Sequence, residues 1–320
     1  MAKIVLGIGV PHSPQLSTPL ELWHLHAERD KTNPSIDFAA LSQRPPDGIE
    51  KHLSGEAWEE KYKACEAGMD EISKILTEVN PDIVVVIGDD QKELFYQDNM
   101  PAFSIFWGNE IVDLPHDIEE LPPSIRPAYW ARHGEEPEAY PVASDLGRHM
   151  VESLIEQDFD VSQLTEQLPG RSLGHAHTFI RRRLLKDKPM IKMVPVWINT
   201  FFPPNVPTPK RCYNFGRALR HAIESWGSDA SVAIIASGGL SHFIVEEELD
   251  QKIINAMTNK DKESLTTIPK EKFVSGTSEI LNWIASAGAL ENLNMELIDY
   301  IPAYRTIAST GCGMGFAYWK

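Results

Sequence analysis

The segment DIVVVIGDD at 82–90 constrains the fold more than any other. Five β-branched residues in succession, Ile83 to Ile87, leave no polar face for water. Such a run must be covered on both sides, which is the pattern of a strand inside a largely parallel sheet. Similar apolar runs lie at 4–10, 102–107, 190–198 and 231–236, and a final strand is expected at 313–319. Between them, helices are expected at 58–79, 143–157, 209–226, near 245–258 and at 277–288. In the first, Tyr62, Cys65, Met69, Ile72 and Leu76 share one face. Alternating strands and helices predict an α/β fold: a single domain over 1–320, a sandwich whose largely parallel or mixed central sheet is flanked by helices.

In such sheets ligands sit beyond the carboxyl ends of the strands. Three groups follow strands directly: His12, Asp89 to Gln91, and His242. The segments at 17–56 and 108–140 are polar and proline-rich; the first reads as a long loop region with short helices, the second as loop.

Composition narrows the partners. The net charge of −16 repels phosphate backbones, so nucleic acid is not an expected partner. No run approaches the ~20 apolar residues of a membrane span. The opening apolar stretch is too short for a secretory leader. The three cysteines, Cys65, Cys212 and Cys312, are far apart and form no CxxC pair. A reducing, cytoplasmic setting is therefore expected. No GxSxG, P-loop or strand-to-helix GxGxxG appears, which leaves nucleophilic-serine and nucleotide chemistry without support.

Several residues remain as candidates. His12 lies between Pro11 and Ser13-Pro14, whose restricted backbone can aim the imidazole. Asp89 and Asp90 are adjacent carboxylates at a strand end, which implies either a nearby cation or a solvated, capping loop. In SLGHAHTF, His175 and His177 suit two ligands on an extended segment, or one functional and one structural imidazole. The run Arg181 to Arg183 reads as a solvated face, or as a partner for a substrate carboxylate. ASGGLSHF sets His242 beyond two glycines, and histidine is the natural base near neutral pH. Glu279 opens a helix in GTSEILNW, where it either caps that helix or completes a histidine-plus-carboxylate metal site.

Taken together, GIGVPHSPQLSTP, the pair VPTPKRCYNFGRALRHAIESW and VAIIASGGLSHF, and GTSEILNWIASAGAL resemble the LigB superfamily, the catalytic subunits of class III extradiol dioxygenases. The resemblance runs from Ile4 to about Ala308. It implies a non-haem Fe(II) enzyme, with Mn(II) or another divalent metal as an alternative. Such an enzyme opens a catechol-type aromatic acid of the protocatechuate, gallate or 3-O-methylgallate kind with O2. His12 and Glu279 match metal ligands, His242 the acid/base histidine, and His175 the histidine that orients substrate or oxygen. A second ligand histidine is expected four residues before a phenylalanine. Counting back from Phe95 gives Gln91 instead. Gln91 is therefore the expected third ligand, with Asp90, His52 and His177 as alternatives.

His177 and Arg305 are expected to touch substrate, and Trp283, Phe243 and Tyr304 to wall the pocket. A homodimer is expected, and the two long loops or a small accessory subunit would close the site. Because glutamine replaces histidine, a non-oxidative metal-dependent hydrolase or lyase is the competing reading. A non-catalytic member is a further rival, opposed by the joint presence of His12, His175, His242 and Glu279.

Overall fold

The computed structural model describes residues 1–320. Eleven strands are present: β1 (Lys3–Val10), β2 (Ile83–Gly88), β3 (Phe103–Phe106), β4 (Glu110–Asp113), β5 (Glu138–Pro141), β6 (Ser162–Leu164), β7 (Lys192–Ile198), β8 (Ser231–Ser237), β9 (His242–Ile244), β10 (Met295–Tyr304) and β11 (Thr310–Trp319). Nine α-helices accompany them: α1 (His24–Asp30), α2 (Phe38–Ser42), α3 (Gly55–Val79), α4 (Ser144–Glu156), α5 (His175–Phe179), α6 (Pro209–Ser225), α7 (Glu247–Thr258), α8 (Lys262–Thr266) and α9 (Ile280–Ala289).

The main sheet has the order β10-β11-β1-β8-β2-β7-β3-β6, with β9 pairing against β11. Its centre, β1-β8-β2-β7, is parallel. Antiparallel pairs join β1 to β11 and β3 to β7. This is the mixed sheet the sequence predicts. β4 and β5 form a separate two-stranded ladder.

β2 shows why the centre is stable. Ile83, Val85 and Ile87 enter one core, with residues of α4, α6, α7 and α9. Val84 and Val86 enter the other, with residues of α3 and α5. Side chains alternate across a strand, so every position of this run is buried. The helices have ordinary end signals: Ser54 caps α3 through Ala57 N, and Thr208 caps α6 through Arg211 N, with Pro209 beginning the helix. No helix is long and apolar enough to cross a membrane.

The sequence reading missed β10. This strand lies at the sheet edge, is exposed or half-buried over most of its first half, and carries Pro302. An edge strand tolerates a proline that a central strand would not. The 17–56 segment holds the short helices expected of it, α1 and α2, with several 3-10 turns.

Candidate active site

β1, β8 and β2 are parallel neighbours, so their carboxyl ends open onto one place. His12 comes from the end of β1, Gly238 to His242 from the end of β8, and Asp89 to Gln91 from the end of β2. His12 is buried, and its Nδ1 lies 3.1 Å from Ser237 Oγ. Ser237 donates its own hydroxyl proton to the Ala176 carbonyl at 2.6 Å. The serine oxygen must therefore accept from His12 Nδ1–H, which directs Nε2 into the site.

Glu279 lies at the junction of a 3-10 turn (Ser275–Glu279) and α9, and it is buried. Its Oε2 is 3.2 Å from His12 Nε2 and accepts from the Gly239 amide at 3.0 Å. Its Oε1 is 3.1 Å from His242 Nε2. His242 donates Nδ1–H to the Leu240 carbonyl at 2.9 Å, which leaves Nε2 as its working atom. Gly276 makes this packing possible, because a Cβ there would fall 2.1 Å from His242 Cδ2. Burial alone would raise the Glu279 carboxyl, but His242 and His12 outweigh it and hold it well below the usual carboxylate range. Burial opposes charge on both imidazoles, yet Glu279 raises the pKa of His12 and holds His242 well above the ordinary histidine value.

On the other side stand Asp89 and His175. Asp89 is fully buried; burial first, then Glu279, raises its carboxyl. Its Oδ2 accepts from Gln91 Nε2 at 3.0 Å, while Oδ1 has no hydrogen-bond partner. His175 Nδ1 lies 2.9 and 2.8 Å from the two Glu93 oxygens, and its backbone amide donates to Glu93 as well. This pairing leaves His175 Nε2 free. One donor atom from each of His12, Asp89 and His175 lies within 4.8 Å of the others. Sequence reasoning missed Glu93, since nothing in DDQKELF distinguishes it from a solvated glutamate.

His12, His175, His242 and Glu279 line a cavity of about 340 Å³ together with Gln91, Phe201, Phe243 and Cys312, and Asp89 is buried behind them. Part of its lining is basic. Arg29 and Arg305 lie there with His26, Asp30 and Asn33, and Arg132 also lines the cavity, with Nη2 3.9 Å from Glu93 Oε1. Arg305 Nε lies 3.3 Å from Asp30 Oδ2 but is misaligned for a hydrogen bond. Arg132 Nε likewise lacks a partner. Leu121, Pro122 and Ile125 add an apolar wall. Both long segments expected to close the pocket, 17–56 and 108–140, do contribute to its lining.

Several expected residues lie elsewhere. His177 does not line the cavity. The segment is helical rather than extended, and side chains two apart on a helix diverge by about 200°. His175 thus faces the cavity, while His177 is fully buried, packs on Trp197 and has its Nε2 3.2 Å from the Val196 carbonyl. Burial lowers its pKa to about 3, so it is a neutral core histidine. Asp90 spends both oxygens on the backbone amides of Lys92, Glu93, Leu94 and Phe95 and has none for a metal. His52 packs against Tyr304, away from the cavity. The arginine run is committed elsewhere: Arg181 to the Ile191 and Pro189 carbonyls, Arg182 to Glu138, and Arg183 to Ser17 and Glu66. Of the expected walls, only Phe243 lines the cavity. Trp283 is buried, with Nε1 donating to the Gly238 carbonyl, and Tyr304 donates to Glu247.

A divalent cation suits the donors that remain. They are the His12 and His175 imidazole nitrogens, each fixed by the partner of its other nitrogen, a buried Glu279 carboxylate, and a buried Asp89 oxygen without any donor. Residues 39–315 match the family described as the catalytic LigB subunit of aromatic ring-opening dioxygenase. The chain is 31% identical over 180 residues to a gallate dioxygenase of Pseudomonas putida (strain KT2440), an alignment covering 51% of each protein. The match thus takes in about half the length of that relative. With most of its length matched, this chain belongs to the LigB family.

Proposed function

We propose that the protein is an extradiol dioxygenase, dependent on Fe(II), that opens the ring of a catechol-type aromatic acid and incorporates both atoms of O2. The observation that carries this reading is the bridging position of Glu279 between His12 and His242, in a cavity whose lining is partly basic. Membership of a ring-opening family and the likeness to a gallate dioxygenase support it.

His12 and Glu279 would hold the metal with a third donor beside them. The metal would supply Lewis acidity and a common meeting point for substrate and O2. His242 acts at Nε2, because its Nδ1 proton is committed to Leu240. There it takes up a phenolic proton and later returns it. His175 presents Nε2 as an acceptor for a substrate hydroxyl, with Glu93 fixing the ring. Arg305 receives the ring carboxylate, which competes with Asp30 for its guanidinium. Phe243 and Ile125 keep the ring plane dry.

Anaerobic protein loaded with Fe(II) is expected to consume one O2 per gallate, protocatechuate or 3-O-methylgallate molecule opened. The absence of uptake across this panel, with iron shown to be bound, would rule the reading out. Turnover of an aromatic acid without O2 would favour the hydrolase or lyase reading instead.

A further inference from the structure

Where the family resemblance calls for a second histidine ligand, this chain has Gln91. We infer that Asp89, two residues earlier, is the protein's third metal ligand, and that Gln91 is the positioning residue that aims it. This inference rests on the metal centre proposed above.

Asp89 directly follows the last residue of β2, in the place where that strand opens between β8 and β7. It is 0% exposed, so no bulk water reaches its carboxylate. Its Oδ1 lies 3.9 Å from His12 Nε2 and has no hydrogen-bond donor from the protein. Leaving a buried charged oxygen unsatisfied costs upward of about 1–3 kcal/mol, so a fold retains one only where something else supplies the missing partner. A cation among Asp89, His12 and His175, whose donor atoms lie within 4.8 Å of one another, with Glu279 3.2 Å from His12, supplies it.

The side-chain hydrogen bond of Gln91 ties it to this aspartate. Its Nε2 donates to Asp89 Oδ2. That bond fixes the carboxylate's rotation and leaves Oδ1 directed at His12. An amide binds a metal through its oxygen, which is neutral and a weaker donor than the carboxylate that the Gln91 nitrogen holds in place. The neighbouring Asp90 is excluded, because backbone amides occupy both its oxygens. The chain has thus moved the donor back by two residues and kept a hydrogen-bond donor where the imidazole would stand. Two carboxylates and one neutral imidazole balance a divalent charge. They also make a harder ligand set than two imidazoles and one carboxylate, which favours oxygen-preferring ions such as Mn(II).

The test is Mn(II) titration of metal-free protein, read by the loss of the free-ion EPR signal, with Tm measured on each metal-free variant. Asp89→Asn is expected to weaken Mn(II) at least 100-fold, and Gln91→Ala about 10-fold. A second measurement needs no variant. Protein labelled with carboxylate-13C aspartate should show strong 13C hyperfine coupling to bound Mn(II), and Asp89 is the aspartate placed to give it. Unchanged Mn(II) affinity in Asp89→Asn, a larger loss in Gln91→Ala than in Asp89→Asn, or no 13C coupling in the labelled wild type would each overturn the assignment. Wild-type protein that bound neither Mn(II) nor Fe(II) would overturn the metal centre itself, along with this inference. Metal binding with unaltered affinity in Asp89→Asn would sink the inference alone.

Discussion

The two ends of the cavity are built on opposite principles. At the strand-end side, each imidazole has one nitrogen tied down: His12 to Ser237, His175 to Glu93, and His242 to Leu240. The ties hold the remaining nitrogens in place before anything binds. At the arginine side, Arg132 and Arg305 have Nε atoms with no partner, and Arg305 has only a misaligned aspartate. One end is organised in advance, where a small misplacement would damage chemistry. The other has looser ion pairs, Arg305 with Asp30 and Arg132 with Glu93, and leaves donors that an anionic group could use. On the function proposed above, the first end would serve reaction and the second recognition.

Three perturbations would break or sharpen that contrast. The largest effect is expected at the organised end. His242→Gln removes the group that exchanges a proton at Nε2 and should lower kcat by about 10²–10⁴. Bound metal, measured by mass spectrometry, should persist, and full turnover in this variant would remove His242 from the chemistry. A smaller effect is expected at the arginine end. Arg305→Met removes a charged partner worth about 1.5–3 kcal/mol. KM for a ring carboxylic acid should rise by about 10–100-fold on that basis, while KM for a catechol without a carboxylate should move little. An equal rise for both substrates would show that Arg305 shapes the pocket and reads no charge.

The smallest effect concerns His26, which shares the arginine end. Burial first, then Arg305 and Arg29, lowers its pKa to about 3. Its folded pKa is therefore below the unfolded value of about 6.5. Between those values the unfolded chain binds the extra proton, so stability falls as pH drops below about 6.5, by up to about 1.4 kcal/mol per pH unit. His26→Gln should flatten the fall in Tm between pH 6.5 and 5. An unchanged slope would show that other groups carry the acid sensitivity.

Much of this arrangement was legible in the sequence, for definite reasons. A run such as Ile83 to Ile87 has one stable environment, and strand ends in a parallel sheet converge. His12, His242 and Glu279 were therefore singled out from local pattern and resemblance, and they meet in one cavity. The adjacent carboxylates at 89 and 90 gave a real signal, since their repulsion implied a cation or a cap. The structure gives the capping role to Asp90 and leaves Asp89 unsatisfied. His177 was misplaced because spacing two apart means the same side on a strand and opposite sides on a helix. HAHTF carries no pattern strong enough to decide between them. Glu93, Arg29 and Arg132 were not legible at all, because their roles arise from loops that meet only in three dimensions.

The adjacency of β1, β8 and β2 also bears on how the protein matures. No two of His12, Asp89, His242 and Glu279 lie on the same element, and the sheet alone brings them together. A partly zipped chain offers a cation scattered single donors and no chelate. Metal uptake should thus be a late event that reports completed strand pairing, and a bound ion locks that pairing. At a free metal concentration 1,000 times its Kd, the locking would add about 4 kcal/mol against unfolding. The resident ion would then act as a clasp on the centre of the sheet as well as a reagent.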